Sequence, residues 1–566
     1  MSRRLAAVAT LASLMLALAA SLAAPAHAAW PAEGKVINDL SLIYGPSPWY
    51  GSGPCELLDG PDGSLFVKSA PASPSSFYWT IGRVAANGDS IPGWPAEGRR
   101  VMGTLAGYND SYHESVVSPA AELLFACVAE ISTPRVTRLD AAGTRLPEAY
   151  PNYWVAGTTN AYNASAASGP FGDMYVSWGQ KLQRLKPDGT VAAGWPAAGL
   201  VATTNSYRSA VISDDAGGVL VLGTTPGMRP LVTRVDSNAV RHTGWPAGGR
   251  ALCTTAIVSM DSYGIRHPLV RTDETHAMAL WSEKTSNGHL RVQRISFDGT
   301  LDPNWDPDGL LLDELDTLTS VTMVPDGQGG AWIGFEWRFT PALVHVFADG
   351  SMIGFEPLDA AARYSKQTFR GYQPINAIAM DRAPDGGVFF AWSDLRQPGY
   401  EQVRWRRFTA MGAPHPAEPD TGRIVWTREN YPNGSYVGRT RAIHSDGQGG
   451  VYVLRDLGCP VALHHELPYA TLGVTPPAPR AGLELRAPAP NPARDAITLR
   501  FTLPDARTAT LTLFDVAGRT LRSAEASGAG EHVVRWDDAA ALAPGLYLAQ
   551  LRQGAERRTA RVVVTR

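Results

Sequence analysis

The chain is poor in charged residues. Asp, Glu, Lys and Arg make up 18% of its 566 residues, and 50 basic against 53 acidic side chains leave a net charge of −3. No long run of one sign occurs. Such a chain has no field that attracts nucleic acid or an anionic membrane surface. Nucleic-acid binding is therefore excluded as a function class.

Cysteine and known catalytic motifs are also scarce. Four cysteines without any Cys-x-x-Cys pair exclude a structural zinc site of the usual spacing. There is no Gly-x-Ser-x-Gly elbow, His-Glu-x-x-His helix, P-loop or EF-hand loop. The repeated Asp-Gly-Gln-Gly-Gly segments lack the clustered carboxylates of a calcium loop. We expect no metal and no other cofactor.

Long apolar runs are absent after the first 28 residues. A short basic start, the apolar stretch 5–22 and the small-x-small site at Ala26 and Ala28 predict a secretory signal peptide over residues 1–28. An uncleaved membrane anchor is the alternative, because the run approaches the length of a spanning helix. The mature chain is expected to lack a transmembrane segment and to lie outside the cytoplasm.

Glycine, proline and aromatic residues are abundant, with 56 Gly, 43 Pro, 16 Trp and 19 Tyr. This composition is typical of short strands joined by turns. Over the first 460 residues or so, a turn-plus-strand such as Asp326–Trp332 alternates with a Trp-Pro loop such as Gly244–Gly249. The strands' apolar anchors recur about every 55 residues, a period typical of radial β-sheet arrays. These anchors are Phe66, Leu124, Tyr175, Leu220, Met278, Trp332, Phe389 and Tyr452.

The phase of the repeat favours a closed array. The predicted mature chain opens on a Trp-Pro loop at Trp30, and the array ends on the turn-plus-strand at Tyr452. The two halves complete one unit if the ends meet, whereas an open solenoid needs capping repeats. We therefore predict an all-β fold with a closed β-propeller over residues 29–473. We expect about eight blades, with seven as the alternative, and the anchor strand innermost in each.

Two cysteines flank the predicted closure. Cys55 precedes the first anchor and Cys459 follows the last one. In an oxidising compartment the two are predicted to form a disulfide. Two unpaired buried thiols are the alternative.

A composition change marks a second domain. The Pro-rich composition of segment 474–482 predicts a stiff linker. After it, residues 483–566 alternate apolar and polar side chains in four segments, 497–504, 508–515, 532–536 and 545–551. Alternation interrupted by turns predicts a small antiparallel immunoglobulin-like β-sandwich.

Ordered motifs in this second domain carry a family resemblance. The motif residues are Asn491, Pro492, Phe514, Asp515, Gly518, Arg519, Trp536, Gly545 and Tyr547. The segment resembles the C-terminal sorting domain of the type IX (Por) secretion system, and is similar to the immunoglobulin-like domain of FlgD-like hook-capping proteins. The first region is similar to repeat-bearing secreted propeller cargo.

The resemblance implies a destination and a partner. An outer-membrane secretion translocon would recognise the C-terminal domain after periplasmic transit. The protein would then reach the extracellular space or cell surface of a Gram-negative-type bacterium.

Two functions remain open. The first is a non-catalytic binding or scaffold module for an extracellular protein or glycan. The second is an extracellular polysaccharide hydrolase or lyase with its acid and base in the central channel. Carboxylates contributed by different blades leave no spacing signature, so the sequence names no catalytic residue. Carboxylate and aromatic groups at the mouth of the channel would favour the hydrolase or lyase. An apolar or plugged channel would favour the non-catalytic module.

Overall fold

The computed structural model shows an all-β chain that divides into two units between Pro468 and Tyr469. It describes residues 34–37, 55–60, 63–69, 77–104, 114–117, 123–129, 133–140, 142–144, 146, 164–169, 172–203, 205–214, 216–254, 258–259, 265–283, 289–314, 321–337, 340–355, 378–394, 400–415, 418–419, 422–429, 440–456, 461–466, 484–485, 493–494, 496–503, 507–515, 519–528, 530–554 and 556–565. The predicted signal peptide with Ala26 and Ala28, and the predicted linker, lie outside the described residues. No helix within the described part has the length and apolarity needed to cross a membrane.

The first unit contains eight sheets within the described residues. The first strand, β1 (Lys35–Ile37), belongs to the last sheet. Sheets 1 and 2 consist of β2 (Glu56–Asp59), β3 (Leu65–Ser69), β4 (Phe77–Val84) and β5 (Arg99–Thr104), then β6 (Glu114–Val117), β7 (Leu123–Ala129) and β8 (Thr133–Leu139). Sheets 3 and 4 consist of β9 (Ala164–Ser168), β10 (Met174–Trp178), β11 (Lys181–Leu185) and β12 (Leu200–Val201), then β13 (Asn205–Ser213), β14 (Val219–Thr224), β15 (Pro230–Val235) and β16 (Arg250–Ala251).

The second half of the unit follows the same plan. Sheet 5 consists of β17 (Val258–Ser259), β19 (Leu269–Arg271), β20 (His276–Glu283), β21 (His289–Ser296) and β22 (Leu310–Glu314). Sheet 6 consists of β18 (Ile265–Arg266), β23 (Val321–Pro325), β24 (Ala331–Trp337), β25 (Thr340–Val346) and β26 (Met352–Phe355). Sheets 7 and 8 consist of β27 (Ile378–Arg382), β28 (Val388–Asp394), β29 (Tyr400–Phe408) and β30 (Arg423–Glu429), then β31 (Thr440–Ser445), β32 (Val451–Asp456) and β33 (Val461–Glu466) with β1.

The sheets contact one another through their first strands in a cyclic order. β2 contacts β6, and the contacts continue through β9, β13, β19, β23, β27 and β31. β31 in turn contacts β2. The Tyr452 hydroxyl of sheet 8 also donates to the Ala86 carbonyl beyond β4 of sheet 1, at 2.8 Å. Sheets 8 and 1 are therefore neighbours, although they stand at opposite ends of the unit's sequence.

Strand β1 completes the last sheet. It pairs antiparallel with β33, with Lys35 opposite Leu463 and Ile37 opposite Val461. Ile37 packs with Leu57 of sheet 1 and Leu454 of sheet 8 in one buried cluster. The sharing of one sheet by the two ends of the unit, expected from the phase of the repeat, is confirmed by this pairing.

Each anchor residue lies in the strand that pairs with its sheet's member of this contact series. We call the member of the series the first strand and the anchor's strand the second strand. The first strands were overlooked because some carry little apolar alternation, as in Ala164–Ser168, whose sequence is ASAAS. The second strands are buried on both faces, since sheets pack against them from either side, and this explains their continuous apolar runs.

Indole rings of the Trp-Pro loops connect neighbouring sheets. In two Trp-Pro loops, and in the related loop where Asp306 follows Trp305, the indole N–H donates to a backbone carbonyl in the following sheet's turn, at 2.9 to 3.2 Å. A buried N–H needs such a partner. The pairs are Trp195 with Ser237, Trp245 with Phe297, and Trp305 with Ala348.

Between β17 and β19 the chain leaves sheet 5. Its segment β18 pairs in parallel with β23 at the edge of sheet 6, with Arg266 opposite Thr322. The chain then returns as β19 to the edge of β20. The excursion therefore makes β18 the edge strand of sheet 6, next to the first strand β23.

The second unit contains two sheets and one 3₁₀ turn within its described residues. One sheet has the order β34 (Glu484–Leu485), β35 (Ile497–Leu503) and β38 (Gly530–Trp536). The other has the order β37 (Thr520–Ala526), β36 (Ala509–Asp515), β39 (Gly545–Gln553) and β40 (Glu556–Val564). The 3₁₀ turn spans Ala539–Ala541.

These two sheets share one apolar core. Leu499 of β35, Leu511 of β36 and Leu551 of β39 are among the buried residues that meet there. The inward positions of β35 and β36 alternate with exposed or half-buried ones, which is the pattern of a two-sheet sandwich. The four strands expected in this region are confirmed.

Candidate functional site

A basic residue stands opposite the anchor in every one of the eight described sheets. The anchor of the second strand pairs across to an Arg or His on the third strand. Where the anchor is aromatic, an arginine guanidinium lies over its ring, as Arg407 does over Phe389 at 5.5 Å, or a histidine ring stacks on it, as His345 does on Trp332. The basic residues are Arg83, Arg138, Arg184, Arg234, Arg294, His345, Arg407 and His465.

Most of these basic residues contact a carboxylate in the turn before the anchor. Asp326 shows the arrangement: one oxygen accepts the Gln328 and Gly330 N–H groups at 2.7 and 2.9 Å, and the other lies 2.9 Å from His345 Nε2. The pairs are Asp173 with Arg184, Asp214 with Arg234, Asp273 with Arg294, Asp326 with His345, Asp385 with Arg407, and Asp446 with His465. This repetition identifies the Asp-Gly turns as structural.

No group of three or more metal-ligating side chains suited to a metal ion occurs among the described residues. Five of the six repeated carboxylates accept a backbone N–H within their own turns, and each of the six contacts one basic side chain, so these groups are already engaged within the repeat. The candidate site must therefore come from polar residues that break the repeat.

One such residue, His444 of β31, lies between three sheets. Its Nε2 is 2.9 Å from Asp59 of β2, and its Nδ1 is 3.0 Å from Asp381 of β27. Burial lowers the pKa of His444, but the hydrogen bonds and charges of Asp381 and Asp59 outweigh burial and raise the pKa to about 10. The ring is then an imidazolium that donates to both carboxylates, and it ties sheet 8 to sheets 7 and 1.

A second group of charged residues surrounds the β18 excursion. His267 follows β18 directly, has a φ of 51° and is exposed. The charges of Glu56 and Lys68 in sheet 1 and of Asp381 in sheet 7 act on its ring. We call Glu56, Lys68, Arg266, His267 and Asp381 the axial group, since they come from three sheets and the charges of the other four act on the His267 ring.

The axial group combines a neutral base with fixed charges. Lys68 is 1% exposed and its Nζ lies 2.5 Å from Glu56 Oε2, in a direct cross-strand pair. Surrounding protein lowers the pKa of His267, and the cations Arg266 and Lys68 reinforce this against the opposing charges of Glu56 and Asp381. At neutral pH the ring is uncharged. Such a group can donate or accept hydrogen bonds, bind a polar ligand, or transfer a proton.

Sequence reasoning missed this group. No repeat or motif covers Arg266 and His267, and only the pairing of β18 with β23 brings them to sheets 1 and 7. A positive φ at a non-Gly residue is an unfavourable conformation that is often found at functional sites.

The predicted motif residues of the second unit divide between core and surface. Tyr547 is 6% exposed, and its hydroxyl donates to the Ala543 carbonyl at 2.5 Å. Asp515, opposite Tyr547 in the sheet, accepts the Arg519 backbone N–H at 2.9 Å and the Arg519 Nε–H at 2.7 Å. These contacts hold Arg519 against the end of β36.

The remaining motif residues are placed as follows. Phe514 pairs with Leu548, Gly545 pairs with Val564, and Trp536 packs against the shared core from the other sheet. Asn491, Pro492 and Gly518 lie outside the described residues. The motif thus marks a sandwich core and one ion-paired turn.

The predicted disulfide is half described. Cys55 is 2% exposed and packs with Val461, Leu463 and Tyr452 of sheet 8. Cys459, two residues before β33, lies outside the described residues. The Cys55–Cys459 pairing stays a prediction.

Comparison with known families assigns the second unit. Residues 489–565 match the family described as the secretion system C-terminal sorting domain. A domain of this kind implies export by the type IX system to the cell surface or extracellular space, and contact with the secretion machinery. The sorting domain covers the last part of the chain, and no curated protein matches the sequence.

Solved structures share a low overall similarity with the chain. Prolyl oligopeptidase B from Galerina marginata has a TM-score of 0.39 and 9% identity, over 72% of this chain and 56% of that one. The polysaccharide lyase Uly1 has a TM-score of 0.31 and 8% identity, over 77% and 98%. An endo-arabinase from Bacteroides thetaiotaomicron has a TM-score of 0.22 and 12% identity, over 46% and 93%. This chain spans little more than half of the oligopeptidase, and similarities this low carry over no activity.

Proposed function

We propose that the protein is exported through a signal peptide, residues 1–28, and a sorting domain, residues 483–566, and that its propeller binds an extracellular protein or glycan without catalysis. The export proposal rests on the match of residues 489–565 to the sorting-domain family. The proline-rich segment 474–482 joins the two domains, and the protein acts in the extracellular space or at the cell surface.

The proposed propeller spans residues 29–473 and is a closed ring of eight blades. Its support is the cyclic series of first-strand contacts, which returns from β31 to β2. His444 and Tyr452 add hydrogen bonds from sheet 8 to sheet 1. In such a ring the first strands line the central channel, and the axial group is the proposed ligand site.

An extracellular polysaccharide hydrolase or lyase is the second candidate. The observation that favours it is the axial group itself, because the carboxylates of Glu56 and Asp381 act on an uncharged imidazole there. Carboxylates and a neutral base are the groups that glycosidic bond cleavage uses. Glu56 already accepts from Lys68, which supports a binding or structural role for that carboxylate.

Replacing His267 with Ala tests the ligand site. The full mature protein is screened against glycan and peptide arrays, and the best ligand is titrated. We expect His267→Ala to weaken binding about tenfold or more, since one hydrogen bond between the protein and a polar ligand is lost from the complex. His242→Ala, a histidine of a Trp-Pro loop, serves as the matched control and should bind like the parent protein.

The same screen separates the two candidates. Turnover of a polysaccharide that Glu56→Gln or His267→Ala abolishes would establish the enzyme and refute the binding module. Unchanged binding in His267→Ala would refute the axial site for either function.

Removing the sorting domain tests export. In the native host a chain ending at residue 482 is expected to accumulate in the periplasm, and the surface and medium fractions should lose nearly all of it. Fractionation followed by immunoblotting measures this. Normal surface delivery of the truncated chain would refute the sorting role, and intact folding of its propeller is checked by tryptophan fluorescence.

A further inference from the structure

Two exposed arginines face each other across the last hairpin of the sorting domain. Arg552 of β39 and Arg557 of β40 are direct cross-strand partners. Side chains at such positions lie on the same face, about 5 Å apart at Cβ, and like charges there destabilise the pair. Among the described residues neither arginine forms an ion pair; Arg552 donates through Nε to the Gly554 carbonyl at 3.2 Å.

A third arginine reaches the same hairpin from another loop. Arg507 is exposed, and its guanidinium lies against Gly554, where a Cβ would stand 3.1 Å from an Arg507 nitrogen. The Arg507 carbonyl accepts from Gln553 Nε2 at 2.5 Å, which holds this loop against the hairpin. We call Arg507, Arg552 and Arg557 the arginine face.

The acid in the same row of the sheet is distant. Along this row Arg557 pairs with Arg552, Arg552 with Thr510, and Thr510 with Glu525 on β37. Glu525 therefore stands two strands from Arg552, roughly 10 Å at the usual strand spacing. The next row toward the sheet centre contains Ser523, Thr512, Gln550 and Thr559. The surface offers positive charge beside uncharged hydrogen-bonding groups.

We propose that the arginine face is the docking surface by which the sorting domain binds an acidic protein surface of the secretion machinery. The inference rests on the proposed sorting role and deepens it by naming the residues. Arg552 and Arg557 are exposed and lie opposite each other at a stability cost, and a partner whose carboxylates neutralise them explains this arrangement. The neighbouring Ser, Thr and Gln side chains suit hydrogen bonds to a folded protein more than insertion into lipid.

Charge reversal separates docking from folding. Arg552→Glu places a carboxylate opposite Arg557, so the melting temperature of the purified full chain should stay unchanged or rise. Surface delivery in the native host should fall. In the double variant Arg552→Glu with Arg557→Glu the like-charge pair is restored with the opposite sign, and delivery should fall about tenfold or more, with periplasmic accumulation.

Arg500→Glu is the matched control. Arg500 is an exposed strand residue of the same domain, on β35 of the other sheet, where it pairs with Val533. It should be delivered like the parent protein. In the double variant Arg557→Glu still places a charge on the edge strand β40. A loss of delivery therefore cannot be explained by a loss of the charge that protects this edge from aggregation.

Each outcome decides the proposal. Normal delivery of the double variant, while truncation at residue 482 blocks delivery, overturns the arginine face and leaves the sorting role intact. Normal delivery of both refutes the sorting role as well. Binding of the purified parent to phosphatidylglycerol vesicles that the double variant loses, with normal delivery, assigns the face to lipid and also overturns the proposal.

Discussion

Raising the pH from 7 to 9 is expected to destabilise the first unit by about 2 kcal/mol through His444 alone. The folded state raises the pKa of this imidazole from its ordinary value of 6.5 to about 10, because the hydrogen bonds of Asp381 and Asp59 outweigh burial. The raised pKa of His444 stabilises the folded unit in full below pH 6.5. This stabilisation is lost as the pH rises toward and through 10. For one proton, the free energy of unfolding changes ideally by about 1.4 kcal/mol per pH unit. The Asp59 carboxylate is exposed, so solvent screens its charge and the effect is smaller.

Urea unfolding at several pH values measures this slope. Tryptophan fluorescence reports on the first unit, because Trp536 is the one tryptophan of the chain's 16 that follows residue 468. His444→Gln should be less stable at pH 7 and should lose this part of the slope. Equal slopes for the parent and His444→Gln would contradict the raised pKa.

Ile37→Asp is expected to destabilise the first unit by about 3 kcal/mol or more. Ile37 is 7% exposed and lies in the cluster between sheets 8 and 1. An aspartate there buries a carboxylate in an apolar cluster that offers it no charged partner among its described members. The result would be a weakened pairing of β1 with β33 and a lower urea midpoint.

The neighbouring residue provides the control. Val36 belongs to the same strand but is 52% exposed on the other face. Val36→Asp should change the unfolding free energy by less than about 0.5 kcal/mol. Since a shift by one residue exchanges the two faces of a strand, equal effects of both substitutions would show that the register is wrong.

The sequence predicted the elements whose burial leaves a periodic signal. The anchor strands are apolar because sheets cover both of their faces, and the sandwich strands alternate because one face is solvated. The pairing of β1 with β33 followed from the phase of the repeat. The first strands and β37 were missed, since β37 has exposed or half-buried residues throughout and so shows no apolar face.

The polar contacts were much harder to predict. The basic residue opposite each anchor is present in the sequence, but its spacing from the anchor changes with hairpin length, from 9 residues at Tyr175 to 18 at Phe389. The axial group has no local pattern, because Glu56, Arg266 and Asp381, whose charges act on His267, belong to sheets whose strands are far apart in sequence. Long-range arrangement of this kind is invisible to periodicity.

The partnership of β1 with β33 has a consequence for how the protein matures. Lys35 leaves the ribosome first and pairs with Leu463, whose segment is synthesised more than four hundred residues later. Until then β33 has an open edge, which is a template for aggregation, and such distant contacts form slowly. The pairing of β1 with β33 is therefore a late, slow step, and holding factors in the compartment where it occurs would raise the yield of native protein.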